Sequence, residues 1–554
     1  MRRSSSRFAT VAVATAVAAS IALSMPATAS AAGTSPSDTT PPDLITLLAG
    51  YDSFWTSDGT NTLHGTVDNA GVLAQNDALT SWINTHATPA QQFLALQDSS
   101  YQNADGTAYD QSITLSTALG SVLGPLYVKG RESGDLPLTS ALINSSNGTS
   151  GAYVSTGAAK AHYSYPRPYL PTDPATAAVP GDAAACAPAV VNASSLTANR
   201  TGKSYADANG NLDILRVPAV VDTTHAFSPN DVTLDPGYGV VGICTGGSYP
   251  SGHTTTAYEA GVTLATLLPE LAPEILTRAS EAGNDRIVLG VHYPLDIMGG
   301  RIDGEAALAT RWSDTDYRTA VLEPARAELV DYLEKATGSS IADTIAAEAA
   351  YTSNPYGGSA IPGGTSQIVT DRRSAVAVFT ERTTYGFAQT GPEGLAASVP
   401  TGAENLLLTT FPTLTDAQRT SVLAQTELDS GYPLDGTGTA AGSWQRLNLA
   451  AATSAAVQLN ADESVTVVST GGAAAVLPVA VPTATPTPAP TATSSTAPVL
   501  PSATPTAGAS GSGQGLAHTG SDVAAVAPWT AGVLGLGLVL AAIAGVRRRR
   551  HSRS

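Results

Sequence analysis

The apolar positions between residues 46 and 340 follow a mainly helical pattern. They recur at mixed spacings of three and four residues, without the long alternation typical of strands. The pattern is clearest over Ala74–Ala95, Ser112–Lys129, Thr254–Leu268, Glu305–Arg311 and Tyr317–Ala336. Clusters of Gly, Pro, Asn and Asp separate these segments. We therefore predict a mainly α fold with one helical catalytic domain over residues 46–340.

The pattern weakens after residue 340. Two helix-like pieces, Ile341–Tyr351 and Asp416–Leu428, alternate with Gly-rich loops. We interpret 341–470 as a C-terminal extension packed on the helical domain, of uncertain role. Residues 471–515 change character again, because Pro482–Pro505 consists mainly of Pro, Thr, Ala and Ser. Such a composition buries no core, and it predicts a disordered spacer.

The N-terminus has the features of an export signal. Three arginines, Arg2, Arg3 and Arg7, precede the short apolar run Phe8–Leu23, and Ala29–Ala31 supplies small residues for cleavage. The apolar run is too short for a permanent membrane span. We predict a signal peptide over residues 1–31 and an exported protein.

The C-terminus has three parts in a fixed order. The pentapeptide Leu516–Gly520 is followed by the apolar run Val523–Val546 and by Arg547–Arg550. This order resembles a Gram-positive sortase sorting signal over 516–554, with a single hydrophobic transmembrane helix over 523–546. The resemblance implies cleavage between Thr519 and Gly520 and attachment to peptidoglycan. The alternative is a plain membrane anchor; in either case this helix is the only predicted membrane contact.

Charge and cysteine content narrow the possibilities further. The chain has 45 acidic and 27 basic residues, a net charge of −18, which argues against nucleic acid as a partner. It does not exclude a small anionic substrate, because a local cluster of Arg and Lys can dominate inside a cleft. The two cysteines, Cys186 and Cys244, are expected to form a disulfide in an exported protein. Two buried free thiols are the alternative.

The first cluster with candidate chemistry is Lys160–Pro168. Its two cations, Lys160 and Arg167, are separated by a segment that ends in Pro166. Proline disfavours helix at and before its own position, so we expect Lys160 near a helix end and Arg167 on the following loop. The alternative is a pair of solvated surface cations.

The second cluster, Gly247–Thr254, leads into a predicted helix. Ser251 is a suitable N-cap residue, and Gly252 allows a ligand to approach the backbone closely. Because a helix start offers unpaired N–H groups and a positive dipole end, this position suits phosphate. His253 would then lie beside the bound anion. The alternative is an ordinary capped helix with an incidental histidine.

The third cluster contains Asp285, Arg286, His292 and Asp296. Pro294 is well placed to open a helix with Asp296 in its first turn. There the carboxylate could accept a hydrogen bond from His292 and fix the tautomer of a nucleophilic imidazole. The alternatives are an incidental pair or half of a metal site. No metal is predicted, because no further His, Cys or Glu cluster lies near in sequence.

Together the three clusters resemble the signature of the type 2 phosphatidic acid phosphatase superfamily. This group includes class A bacterial non-specific acid phosphatases and vanadium haloperoxidases. The matching residues are Lys160, Arg167, Pro168, Pro250, Ser251, Gly252, His253, Arg286, His292 and Asp296. Asp285 departs from the pattern, since the family usually has Ser there; it could pair with Arg286 or point outward. The resemblance implies a helical bundle of the acid phosphatase and vanadium haloperoxidase type.

The resemblance also implies roles for these residues in metal-free phosphoryl transfer. His292 would attack phosphorus, Asp296 would orient it, and His253 would protonate the leaving oxygen. The phosphate oxygens would be held by Lys160, Arg167, Ser251, Gly252 and Arg286. The expected activity is that of an acid phosphatase acting on small phosphomonoesters at the cell surface, without a cofactor.

Three other functions fit parts of the sequence. A vanadium-dependent haloperoxidase would bind vanadate with the same residues, although the context Tyr249–Thr254 favours the phosphatase. An integral lipid phosphatase is disfavoured, because no run of 18 apolar residues lies between the signal and the spacer. A wall-displayed adhesin or structural module with an inactive site would fit the anchor equally well.

Overall fold

The computed structural model describes residues 40–101, 109–168, 194–238, 246–348, 367–439 and 441–478. The predicted signal peptide, both cysteines, the sorting signal and most of the predicted spacer lie outside these residues. All the described residues belong to one compact unit, Met1–Pro482.

The described residues are mainly helical, as the sequence predicts. The helices are α1 Leu44–Leu47, α2 Ala70–His86, α3 Pro89–Ser100, α4 Gly120–Ser133, α5 Pro137–Ile143, α6 Gly157–Tyr163, α7 Ser194–Arg200, α8 Gly252–Leu267, α9 Ala272–Val288, α10 Pro294–Ser313, α11 Thr315–Tyr317, α12 Glu323–Thr337, α13 Ile341–Ala347, α14 Arg372–Thr384, α15 Asp416–Thr426 and α16 Leu449–Ala452. Short 3-10 segments cover Ala49–Ser53, Thr114–Leu119, Pro269–Leu271, Ala403–Leu407 and Trp444–Arg446, and a π-helical turn covers Arg318–Leu322. None of these helices is both long and apolar enough to cross a membrane.

The strands are short, and some of their side chains, such as Trp55 and Val457, belong to the buried core. They are β1 Trp55–Ser57, β2 Gly65–Val67, β3 Val220–Asp222, β4 Val232–Leu234, β5 Ala456–Leu459, β6 Val465–Ser469 and β7 Ala475–Leu477. β1 pairs with β2 and β3 with β4, both antiparallel. In the third sheet β5 lies between β6, which is antiparallel to it, and β7, which is parallel. The strand β7 falls within the first residues of the predicted spacer.

Two helix predictions are wrong at their boundaries. The segment Ala74–Ala95 forms two helices, because the Thr88 side chain caps α3 and Pro89 occupies its first turn. The segment Ser112–Lys129 begins with a 3-10 turn, and α4 starts only at Gly120. In both cases an apolar pattern continues across a local break in the backbone.

The core is built around α8, α9 and α10. Every residue of α9 is buried, including its charged residues. Helices α8 and α10 approach closely, because glycines of α10 face α8. A Cβ atom on Gly300 would lie 2.7 Å from the Ser251 carbonyl oxygen, and one on Gly304 would lie 2.6 Å from Tyr258 Cβ. Only hydrogen fits there, so the middle of α10 lies directly against the first turns of α8.

The segment after residue 366 packs on these central helices. The Arg372 Nε atom, at the start of α14, donates to Glu274 of α9 at 2.7 Å. The Arg301 guanidinium of α10 donates to the carbonyl oxygens of Gln445 (2.7 Å) and Leu447 (3.2 Å). These contacts attach the C-terminal extension to the two helices that border the candidate site.

Candidate active site

The three sequence clusters, far apart in the chain, meet in one place. The Arg167 guanidinium lies 2.9 Å from the His292 imidazole, which joins the first cluster to the third. The Ser251 N–H donates to the Asp296 carbonyl oxygen at 3.0 Å, which joins the second to the third. Lys160 joins the first to the second, since its Nζ atom donates to the carbonyl oxygens of Gly247 (3.3 Å), Ser248 (3.0 Å) and Pro250.

His292 lies in the turn between α9 and α10 and is only 1% exposed. Helix α9 ends because Gly290 takes a positive φ of 68°, a conformation that glycine adopts at little cost. The next helix begins at Pro294, and the Leu295 N–H is capped by the Asn76 side chain at 3.0 Å. The turn is therefore held at both ends, which fixes the direction of the imidazole.

The two partners of His292 define its tautomer. Nε2 lies 2.9 Å from Arg167 Nη1, and Nδ1 lies 2.9 Å from Asp296 Oδ2. Arginine can only donate, so Nε2 must accept through its lone pair. The imidazole proton is then on Nδ1 and is donated to the Asp296 carboxylate. This is the neutral form, with Nε2 available as a nucleophile.

Asp296 is fully buried and is held by its neighbours. Its Oδ2 atom accepts from the Tyr293 N–H at 2.9 Å, and Ser248 Oγ donates to Oδ1 at 3.4 Å. Burial raises the pKa of Asp296 to about 7, against the effect of the Tyr293 hydrogen bond and of the Lys160 charge. Its carboxylate lies in the first turn of α10, as predicted, where the helix dipole favours negative charge.

His253 lies in the first turn of α8 and is partly exposed. Ser251 is the N-cap, as predicted, and its Oγ atom accepts from the Thr254 N–H at 3.3 Å. The His253 imidazole is within hydrogen-bonding reach of the Ser99 backbone. The Tyr109 ring lies against it, with ring centroids 5.2 Å apart. Contacts with Ser99 and Tyr109 therefore hold the His253 imidazole in place.

Arg286 completes the cluster of cations. It is 1% exposed, and its Nη1 atom donates to Ser99 Oγ at 2.6 Å. Its Nε atom has no hydrogen-bond partner among the residues that the structure describes. Burial lowers the pKa of Arg286 to about 10, with a further contribution from Arg167. A buried cation with an unused donor is suited to binding an anion.

The two imidazoles respond to the same three cations. Burial is the largest cause that lowers the pKa of His253 and of His292. The next three causes, for both histidines, are the charges of Lys160, Arg167 and Arg286. Both histidines are consequently neutral at neutral pH while no anion is bound.

Gly252 borders the space between α6 and α8. A Cβ atom built on it would lie 3.0 Å from Thr156 Oγ1 and 3.9 Å from Lys160 Cε. The first N–H groups of α8 lack intrahelical partners, which makes this helix start a favourable position for an oxyanion. The site thus combines cations and N–H donors around two imidazoles, a donor set that fits phosphate and equally vanadate.

The structure adds residues that the sequence patterns did not single out. Ser248 binds Asp296, Ser99 binds Arg286, and Tyr109 covers His253. Ser248 lies within the second cluster, although the pattern gives it no role of its own. Ser99 and Tyr109 gave no signal, because they lie in a part of the chain without any recognisable motif.

Lys160 lies in the site and holds the loop before α8. All three of its hydrogen bonds are directed at carbonyl oxygens of the loop before α8. Lys160 therefore clamps that loop and also contributes positive charge to both imidazoles. Its direct binding of phosphate stays a prediction.

Comparison with known proteins connects this geometry to a family. Residues 141–320 match the PAP2 superfamily. An acid phosphatase of Zymomonas mobilis is 41% identical over 88 residues, which is 16% of this chain and 33% of that protein. Non-specific acid phosphatases of Providencia stuartii (36% over 72 residues; 13% and 29%) and Salmonella typhi (38% over 63 residues; 11% and 25%) are also similar.

The aligned segments thus cover about a third or less of each relative's own length. The family match contains all three sequence clusters, from Lys160 to Asp296. Family match and relatives together support a PAP2 superfamily domain within residues 141–320 of this chain.

Proposed function

We propose that this protein is an exported, cell-wall-anchored acid phosphatase that hydrolyses small phosphomonoesters through a phosphohistidine on His292. The observation that carries the proposal is the pair of 2.9 Å contacts that hold His292 between Arg167 and Asp296. These contacts leave a lone pair on Nε2 inside a cluster of cations. The similarity to acid phosphatases supports the same reaction.

In the first step His292 Nε2 attacks phosphorus, and the bond between phosphorus and the ester oxygen breaks. Arg167 must release Nε2 as the substrate enters, and its N–H groups then donate to a phosphoryl oxygen. Asp296 stabilises the positive charge that develops on the imidazole. His253 receives the proton of the bound substrate monoanion and gives it to the leaving oxygen, and the alcohol departs.

In the second step a water molecule attacks phosphorus and the N–P bond breaks. His253 takes the proton of that water and passes it to the phosphate, which departs as the monoanion and leaves His253 neutral. Arg167, Arg286 and the N–H groups at the start of α8 hold the equatorial oxygens throughout. Phosphoryl transfer mainly requires such positioned charge, so the proposal includes no cofactor.

The proposal is tested with the purified protein on a panel of sugar phosphates, nucleotides, phospholipid headgroups and p-nitrophenyl phosphate. We expect hydrolysis that is unchanged by EDTA and inhibited competitively by orthophosphate. Activity lost with EDTA would contradict the metal-free route. Halide oxidation with vanadate and peroxide but no hydrolysis would favour the haloperoxidase. Absence of both activities would favour the wall-displayed adhesin or structural module with an inactive site.

Asp296→Asn should lower kcat/KM by about 100-fold, because the amide cannot compensate the charge on the imidazole and can turn its NH2 group toward Nδ1. The measurement is kcat/KM for p-nitrophenyl phosphate at the optimum pH. Asp303→Asn is the matched control, since Asp303 is an equally buried carboxyl on the same helix. Similar losses in both variants would indicate a general packing effect and contradict the orienting role.

The pH dependence of kcat/KM follows from the lowered pKa values of both histidines. Since His253 is neutral in the free enzyme, the leaving-group proton must arrive with the substrate monoanion, whose second ionisation has a pKa of about 6. Above that pH, kcat/KM should fall about tenfold per unit. At lower pH it should fall once His292 becomes protonated. A profile that is flat from pH 5 to 9 would contradict this scheme.

The proposed location rests on sequence alone. The signal peptide over 1–31 and the sorting signal over 516–554 support export and attachment to peptidoglycan by a sortase. Mass spectrometry of purified cell walls should recover a C-terminal peptide that ends at Thr519 and is joined to a wall fragment. Recovery of an intact Val523–Val546 segment from the membrane fraction would instead indicate a plain anchor.

A further inference from the structure

Asp285, the position that departs from the family pattern, lies next to Arg286 on α9. Neighbouring helical residues point about 100° apart, so the two side chains face different surroundings. Arg286 turns to Ser99 in the site, whereas Asp285 turns to the carboxylate of Asp98 and to Glu281. We propose that Asp285 is a positioning residue that, as a neutral carboxylic acid, donates a hydrogen bond to Asp98 and thereby fixes the last turn of α3.

The charges around Asp285 support its neutral form. Asp98 accepts two hydrogen bonds from Arg278, at 2.7 and 2.6 Å, and Glu281 is paired with Arg382. All four of these side chains are almost completely buried. Each arginine therefore already has its own acid, and Asp285 is a third carboxyl group in the cluster. A charged, unpaired carboxylate at that depth would be very costly.

The lack of hydrogen-bond donors to Asp285 among the described residues leads to the same conclusion. Neither of its carboxyl oxygens accepts a hydrogen bond from any donor in the described part of the chain. Two facing carboxyl groups are stable only if they share a proton. Burial is the main cause that raises the pKa of Asp285, and the negative charges of Glu281 and Asp98 raise it further. The other ionisable groups near it are Arg278, Arg286 and Tyr385.

The position of the last turn of α3 matters because this turn contacts the site at three points. The Asp98 carbonyl oxygen accepts from the Tyr109 hydroxyl at 2.6 Å. Ser99 Oγ accepts from Arg286 at 2.6 Å, and the Ser99 backbone is within reach of His253. A shift of Asp98 would therefore move Arg286, the proposed general acid His253 and the Tyr109 ring. This inference rests on the proposed function for those roles.

Two variants distinguish the role of the Asp285 hydrogen bond to Asp98 from the role of the Asp285 charge. Asp285→Asn keeps a neutral donor to Asp98 and should retain most of the activity. Asp285→Ala removes the donor, and kcat/KM should fall about tenfold, as is typical for loss of a supporting hydrogen bond. The dissociation constant of orthophosphate, measured by calorimetry, should rise in Asp285→Ala but not in Asp285→Asn, because Arg286 is displaced only in the former.

The thermal midpoint Tm tests the proton independently of catalysis. The native pKa of Asp285 lies above its unfolded value of about 3.9, so the native state keeps a proton that the unfolded chain releases. Stability of the wild type relative to the unfolded state is therefore lost as the pH rises above that unfolded value. Asn has no such proton, so the Tm advantage of Asp285→Asn should grow from pH 4 to pH 8. Asp316→Asn is the control for loss of an exposed carboxyl.

Two results would overturn the inference. If Asp285→Asn lowers Tm at every pH and tightens orthophosphate binding, Asp285 is ionised and paired with Arg286. If Asp285→Ala keeps the wild-type kcat/KM and orthophosphate affinity, the hydrogen bond to Asp98 positions nothing. Failure of the wild type to hydrolyse phosphomonoesters would reject the proposed function instead, whereas the Tm series would still report on the proton.

Discussion

His292→Ala should lower the rate of phosphomonoester hydrolysis by about 10⁴- to 10⁶-fold, the range expected when a covalent nucleophile is removed. The variant keeps the cations that bind phosphate, but it has no imidazole between Arg167 and Asp296 to attack phosphorus. The loss should therefore appear mainly in kcat, with orthophosphate still bound. Single-turnover kinetics with p-nitrophenyl phosphate would measure it.

Two comparisons make the His292→Ala result specific. His225→Ala serves as the matched control, because His225 is an exposed histidine paired with Asp231 on the surface. Added imidazole should restore part of the activity of His292→Ala, since it can occupy the vacated space and carry the phosphoryl group. An activity within tenfold of the wild type, without added imidazole, would reject His292 as the nucleophile.

His253→Ala should have an effect that depends on the leaving group. Alkyl phosphates should lose about 10²- to 10⁴-fold in kcat, because general acid catalysis contributes that much when the leaving oxygen is basic. p-Nitrophenyl phosphate should lose far less in the first step, since nitrophenolate departs without a proton. The measurement is kcat for a series of phosphate esters whose leaving-group pKa values span a wide range.

In the wild type the rate should depend only weakly on leaving-group pKa, and in His253→Ala the dependence should be steep. Asp285→Asn provides a control close to the site that keeps the His253 imidazole. Equal losses for alkyl and nitrophenyl esters would show that His253 acts in binding or in support of α8, and the proton transfer would need another donor.

The sequence predicts the local structure of the site well, because short-range rules determine it. The N-cap at Ser251 follows from hydroxyl chemistry, and the start of α10 at Pro294 follows from the fixed φ of proline. The helix start at Pro294 in turn places Asp296 in the first turn of α10. The pairing with His292 then requires only the spacing of four residues.

Other features depend on contacts between distant residues, and the sequence could not supply them. Helix α9 has apolar residues along one side and Glu274, Arg278, Glu281 and Asp285 along the opposite side, a pattern typical of a helix whose charged side faces solvent. It is buried because its charges find partners elsewhere, such as Arg278 with Asp98. For the same reason the sequence alone does not decide the direction of Asp285. Its surroundings are set by α3, about 190 residues earlier in the chain.

The tautomer of His292 is also determined by a contact between distant parts of the chain. A carboxylate four residues away could have accepted from Nδ1 in many folds, but only the approach of Arg167 requires Nε2 to be an acceptor. That approach joins residues 125 positions apart in the chain. The sequence therefore predicts which residues take part, whereas the structure defines the atom that attacks.

The most direct test of the account is to trap the intermediate. Wild-type protein is mixed with excess p-nitrophenyl phosphate, quenched in alkali within milliseconds, digested, and analysed by mass spectrometry under conditions that preserve phosphohistidine. We expect phosphate on the peptide that contains His292, and none in His292→Ala. Phosphate on His253 or on another side chain, or hydrolysis without any labelled peptide, would contradict the proposal that His292 is the nucleophile.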